Sequence, residues 1–131
     1  MSQMVHSMIR VLDEARSLAF YEAAFGLRVV DRFAFDSFTL LYLRGEAVAF
    51  ELELTVNHGR TEPYALGDGY GHLAVTVEDL EQAHAAIQAT GAPCTDPRSL
   101  AHGGQTLARF FFVTDPDGYK IEVIERGGRF A

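Results

Sequence analysis

Two histidines and two glutamates recur in this chain in the same order and at nearly the same interval. A gap of 47 residues separates His6 from Glu53, and one of 50 separates His72 from Glu122. Imidazole nitrogens and carboxylate oxygens form a mixed ligand set suited to a divalent first-row metal, and four protein ligands leave two octahedral positions for water or substrate. An ion so held polarises a carbonyl and offsets the charge that develops on its oxygen. The recurrence predicts a duplicated half-site in a metal-dependent enzyme built from two related halves.

The halves divide near the Gly- and Pro-containing stretch 55–71, giving repeats of about 4–56 and 70–126 within one domain of 131 residues. In the first, 5–12 reads as a strand, and 13–25 carries Leu18, Tyr21 and Phe25 at helical spacing, closed by Gly26. Strand-like runs follow at 27–33, 38–44 and 47–54, the last two joined by Gly45-Glu46, a short link that suggests a hairpin. In the second half, 72–77 is the strand, and 79–90 is a helix with Leu80, Ala83 and Ile87 inward, ended by Gly91. Strands at 109–114 and 119–125 are joined by Asp115-Pro116-Asp117-Gly118, where Pro presets φ and Gly supplies a positive φ. The second strand of this half falls, faintly, at 92–95. The expected class is α+β, with the order β-α-β-β-β used twice.

Period-two alternation decides where the glutamates point. Val48, Phe50, Leu52 and Leu54 share one face, which turns Ala49, Glu51 and Glu53 to the other. Tyr119, Ile121 and Val123 likewise oppose Lys120, Glu122 and Ile124. Glu53 and Glu122 thus hold equivalent places on the last strand of each half, and His6 and His72 open the first. Taken singly, such a glutamate is most often a solvated charge and such a histidine a polar strand end. Matched recurrence reverses those odds.

Eleven basic and eighteen acidic side chains leave a net charge of −7, with no Lys/Arg cluster. That excludes the electrostatic footprint of a nucleic-acid or anionic-membrane binder and favours a small-molecule partner. No apolar stretch approaches the ~18 residues of a membrane span. The start Met1-Ser2-Gln3-Met4-Val5-His6 lacks the basic and apolar regions of a signal peptide, so a cytoplasmic location is expected. Cys94, the lone cysteine, reads as an inert thiol, His84 as a residue beside the inward helix stripe and His58 as a loop residue. Phe110, Phe111 and Phe112 read as a strand buried on both faces.

Four segments together resemble glyoxalase I, the lactoylglutathione lyase family of the vicinal oxygen chelate superfamily. They are His6-Ser7-Met8-Ile9-Arg10-Val11, Glu53-Leu54-Thr55-Val56-Asn57, Tyr70-Gly71-His72 and Asp115-Pro116-Asp117-Gly118-Tyr119-Lys120-Ile121-Glu122, and the similarity spans nearly the whole chain. The resemblance implies two βαβββ modules of the glyoxalase/bleomycin-resistance/dioxygenase kind, with sheets curled around a metal site whose ligands are His6, Glu53, His72 and Glu122. It implies a homodimer with sites at the interface, one subunit supplying His6 and Glu53 and the other His72 and Glu122. Nickel is the first choice of metal, with cobalt or zinc as alternatives.

The reaction implied is isomerisation of the methylglyoxal–glutathione hemithioacetal to S-lactoylglutathione by proton transfer through a metal-stabilised enediolate. Either carboxylate could act as base; Glu122 is the first candidate, with Glu53 as its partner. Arg10 and Asn57 match positions that contact glutathione, a guanidinium for its carboxylate and an amide for its peptide groups. The family commonly has Lys where His102 stands before Gly103-Gly104. Two other readings compete: another metalloenzyme of the superfamily, of epimerase, thiol-transferase or dioxygenase type, or a non-catalytic small-molecule binding module. Four intact ligand positions favour glyoxalase I over both.

Overall fold

In the computed structural model, which describes residues 1–131, each half of the chain forms a compact unit, Met1–Ala65 and Leu66–Ala131. The first unit comprises β1 (His6–Arg10), α1 (Glu14–Phe25), β2 (Arg28–Ala34), β3 (Phe38–Arg44) and β4 (Glu51–Asn57). The second comprises β5 (Leu73–Val77), α2 (Leu80–Ala89), β6 (Arg98–His102), β7 (Gln105–Thr114) and β8 (Lys120–Glu125). Their sheets are ordered β1-β4-β3-β2 and β5-β8-β7-β6. In each, the first strand lies parallel to the last and the other neighbours are antiparallel. The class is α+β, as the order of elements predicts.

Both helices begin at an aspartate for the same reason. The carboxylates of Asp13 and Asp79 accept the N–H of Arg16 and of Gln82, each at 2.9 Å, satisfying a donor that the first helical turn leaves without a partner. Gly26, at φ 67°, ends α1 with its N–H on the Glu22 carbonyl. One face of each sheet is apolar core. Ile9, Leu41, Leu43, Leu52 and Leu54 are buried in the first unit together with Val11 and Tyr21, and Phe111, Val113, Ile121 and Val123 in the second with Leu80 and Ile87.

Four expectations are corrected. Gly45-Glu46 is not a two-residue link: 45–50 is a loop, and β4 runs from Glu51 to Asn57. That strand is gripped from both sides, Glu51 opposite His6 and Leu52 opposite Leu43, whereas Val48 and Phe50 stay exposed with no strand to pair them. At 92–95 there is only an isolated bridge between Cys94 and Val113, and the strand itself is β6. Every residue of β6 is exposed, so hydrophobic alternation is silent there. In α1 the fully buried positions are Ser17 and Tyr21, with Leu18 and Phe25 only half-buried. Of the three phenylalanines in β7 only Phe111 is fully buried; Phe110 and Phe112 face the other way and remain partly open.

Gly103 and Gly104, at φ 60° and 79°, close β6 onto β7 in a two-residue hairpin turn with His102 opposite Gln105. The register breaks once in each outer antiparallel pair, where Val30 of β2 and Leu107 of β7 are skipped in the pairing. No helix is long and apolar enough to cross a membrane.

Candidate active site

The two His–Glu pairs arise from one register rule. In the parallel pair β1/β4, Met8 lies opposite Glu53, and His6 sits two residues earlier, hence on the same face and on the diagonal. In β5/β8, Ala74 lies opposite Glu122, and His72 again sits two residues earlier, one position ahead of the strand proper. The diagonal brings His6 Nε2 to 2.8 Å from Glu53 Oε2 and His72 Nε2 to 3.6 Å from Glu122 Oε1. Both imidazoles are open to solvent at side-chain exposures of 38% and 41%, and both carboxylates lie deeper, at 11% and 20%.

The approach to β8 is made rigid by the turn before it. Asp115, itself buried, accepts the N–H of Asp117 and of Tyr119 on one carboxylate oxygen, each at 2.9 Å, and its own N–H reaches the Tyr119 carbonyl at 2.8 Å. Gly118, at φ 94°, completes the reversal. Tyr119 packs its ring edge-on to Tyr70 at 5.4 Å. Burial first, and the negative charge of Asp115 second, push the Tyr70 phenol above its ordinary value.

Two aromatic residues missed by sequence reasoning stand beside these pairs. Tyr42 lies opposite Glu53 across β3/β4 and donates its hydroxyl to Glu53 Oε1 at 3.1 Å. Desolvation, with the Glu53 hydrogen bond second, pushes the Tyr42 phenol up, so it keeps its proton and acts as a donor around neutral pH. Phe112 lies opposite Glu122 across β7/β8. Each ring meets its histidine edge-on, Tyr42 with His6 at 5.9 Å and Phe112 with His72 at 5.1 Å. The signal that could have found them is the burial of Leu41 and Leu43 around Tyr42, and of Phe111 and Val113 around Phe112, which turns both rings to the glutamate face.

The remaining candidates are placed as follows. Arg10 ends β1, exposed and opposite Thr55. Asn57 ends β4 and gives its amide N–H to the Tyr64 hydroxyl at 2.9 Å, closing a loop in which the Arg60 guanidinium stacks 4.3 Å from the Tyr64 ring. His102 is exposed at the β6–β7 turn. His58 lies 2.8 Å from the Thr39 hydroxyl and 3.1 Å from the Asp36 carbonyl, a role in loop closure. His84 bonds the Thr95 carbonyl at 3.0 Å and packs against Phe111. Burial raises the Cys94 thiol above its ordinary value, which makes it a poor nucleophile.

Two imidazoles and two carboxylates, without thiolate or ammonium, fit a divalent first-row ion. The structure brings them together as two pairs, one in each unit, and no group of three or more His, Cys, Asp or Glu gathers that could hold such an ion.

Comparison with known proteins places the whole chain in a family. A family model described as Glyoxalase/Bleomycin resistance protein/Dioxygenase superfamily matches residues 3–123. The chain is 39% identical over 128 residues to lactoylglutathione lyase of Haemophilus influenzae, covering 94% of this chain and 92% of that protein. It is 37% identical to a probable lactoylglutathione lyase of Synechocystis sp., over 96% and 97% of the two chains. Among solved structures, the trypanothione-dependent glyoxalase I of Leishmania major superposes with a TM-score of 0.77 at 35% identity, over 95% of this chain and 87% of that one. Glyoxalase I of Zea mays gives 0.83 at 30% identity, over 96% of this chain but 45% of the maize chain.

Proposed function

The chain belongs to the glyoxalase/bleomycin resistance protein/dioxygenase superfamily, and from that premise we propose that it is a lactoylglutathione lyase. The substrate is the hemithioacetal that glutathione forms with methylglyoxal, and the product is S-lactoylglutathione. The observation that carries this reading is the repeated diagonal of His6–Glu53 and His72–Glu122 in a chain whose full-length relatives bear that activity in their names.

The chemistry asked of the residues is a proton shift. Glu122 takes the proton from the carbon that bears sulfur, the electron pair moves into the neighbouring carbonyl to give an enediolate, and return of that proton one carbon along, with the hydroxyl proton passing from the first oxygen to the second, yields the thioester. Nothing is oxidised or reduced overall. A divalent ion held by His6, Glu53, His72 and Glu122 would supply positive charge beside the oxygens that become anionic. Glu53 stands as the second carboxylate. Nickel is our first choice and cobalt the second, because two nitrogen and two oxygen donors suit ions that take six ligands. Arg10 and Asn57 are the proposed contacts to the peptide part of the thiol, Asn57 exchanging its Tyr64 partner for substrate. We place the enzyme in the cytoplasm as a homodimer, each site completed by the first unit of one subunit and the second unit of the other.

The protein reconstituted with nickel should convert methylglyoxal and glutathione to thioester, hold about one ion per subunit, and lose activity to a chelator. A wild type that is loaded with metal but makes no thioester would move the assignment to another substrate within the superfamily. Assembly is tested by mixing inactive His6→Ala and Glu122→Ala subunits. Sites completed across the dimer concentrate both lesions in one site and leave the other whole, so partial activity returns; sites made within one chain give no rescue.

A further inference from the structure

The two carboxylates of the duplicated half-site differ in one oxygen atom of their surroundings. Glu53 and Glu122 occupy equivalent positions, each diagonal to its histidine and each directly opposite an aromatic residue on the neighbouring antiparallel strand. That residue is Tyr42 in one unit and Phe112 in the other, and both rings meet the histidine edge-on. The hydroxyl is what distinguishes them. Glu53 has Oε1 accepting from Tyr42 at 3.1 Å and Oε2 2.8 Å from His6, so both of its oxygens are engaged. Glu122 faces a ring with no donor, its nearest imidazole nitrogen is 3.6 Å away, beyond hydrogen-bond reach, and its side chain is nearly twice as exposed.

We propose that Tyr42 is a positioning residue that fixes the Glu53 carboxylate in place, and that Phe112, its counterpart, leaves Glu122 free to swing toward a substrate proton. A duplicated ligand set thereby acquires two roles, one standing carboxylate and one mobile base. The inference rests on the lyase reading, and it adds to that reading the device that tells two like glutamates apart. A base must move from its resting position onto the proton it removes, and a carboxylate with an oxygen held by a phenol hydroxyl has less of that freedom than one facing a bare ring.

Exchanging the two rings tests the idea with the loss or gain of a single oxygen. Wild type, Tyr42→Phe and Phe112→Tyr are loaded with cobalt(II), and the visible absorption spectrum, the metal dissociation constant, kcat and KM are measured. Tyr42→Phe should alter the cobalt spectrum and weaken metal binding by about two- to tenfold, the worth of one hydrogen bond. Phe112→Tyr should tether Glu122 and lower kcat by about two- to tenfold, with KM and metal affinity held. Melting temperature and near-ultraviolet circular dichroism verify that both variants keep the fold. If spectrum, affinity and kcat all match wild type in both variants, the inference is overturned. If the wild type shows no thioester formation while Tyr42→Phe still shifts the cobalt spectrum, the lyase reading fails and the tether on Glu53 stands.

Discussion

Unit 1 and unit 2 repeat a strand order and a His–Glu diagonal, yet they support the glutamate strand by different means. Chain enters β4 through the 45–50 loop, whose Val48 and Phe50 are exposed, whereas it enters β8 through the buried Asp115 turn with its three backbone bonds. The helices are clipped to their sheets differently too. Arg32 of β2 reaches back to both carboxylate oxygens of Glu14, at 2.7 and 3.1 Å, while Arg109 of β7 joins Glu81 of α2 and Glu125 of β8 at once. Duplication supplies the backbone diagonal. The stiffness around each glutamate is then set separately by a few polar side chains.

The comparison is sharpened most by the glutamates themselves. Glu122→Gln should retain metal and lose on the order of 10²–10⁴ in kcat, as removal of a positioned base does, whereas Glu53→Gln should lose metal first. Metal content and kcat per bound ion separate the two, and equal losses in both variants would erase the distinction between the halves. Next comes the strand entry: Asp115→Ala strips two backbone N–H groups of their acceptor and should cost about 2–3 kcal/mol in urea unfolding. Val48→Ala on the corresponding side of unit 1 should stay within about 0.5 kcal/mol. Similar costs would show that the turn is not what makes β8 the stiffer strand.

Smaller effects probe what the halves share. Asp13→Ala and Asp79→Ala should each cost about 1 kcal/mol, because both remove the same kind of helix cap; a cost confined to one of them would break the equivalence. Smallest is the Glu14–Arg32 clip. The Arg32 hydrogen bond holds the Glu14 carboxyl below its ordinary value, so its contribution is fully present above the ordinary carboxylate pKa and is lost as pH falls through the lower folded-state value. The Tm deficit of Glu14→Gln should therefore be largest near neutral pH, shrink with added salt, and disappear in acid. A deficit that grew on acidification would contradict the sign.

The proximity of His6 to Glu53 and of His72 to Glu122 was legible because residues of these types recur in order and because strands alternate faces, a rule that needs no tertiary information. Tyr42 was not legible, and the loop explains why. A two-residue hairpin at Gly45-Glu46 would set Tyr42 opposite Ala49, whereas the longer loop sets it opposite Glu53. That displacement is an even number of residues, so each side chain keeps its face while its partner changes. The Asp115 turn was readable from Pro and Gly chemistry alone. β6 was not, since its five exposed residues are held by the backbone ladder to β7 and leave no hydrophobic trace in the sequence. The His–Glu diagonal belongs to both kinds of knowledge: residue types announced it, and only strand pairing supplied the distances.

The broken register at Val29/Asp31 has a consequence for how the protein behaves in a crowded solution. β2 is the outer antiparallel strand of its sheet, and a straight border of unpaired N–H and C=O groups is a template on which another chain can lay down a strand. Val30, skipped in the pairing, and Phe33 are exposed on β2 and would make such accretion sticky. An interruption in the border throws the free groups out of line, so an incoming strand finds a few matching bonds and then none. Ragged rims of this kind let a protein display apolar side chains without growing sideways into fibres.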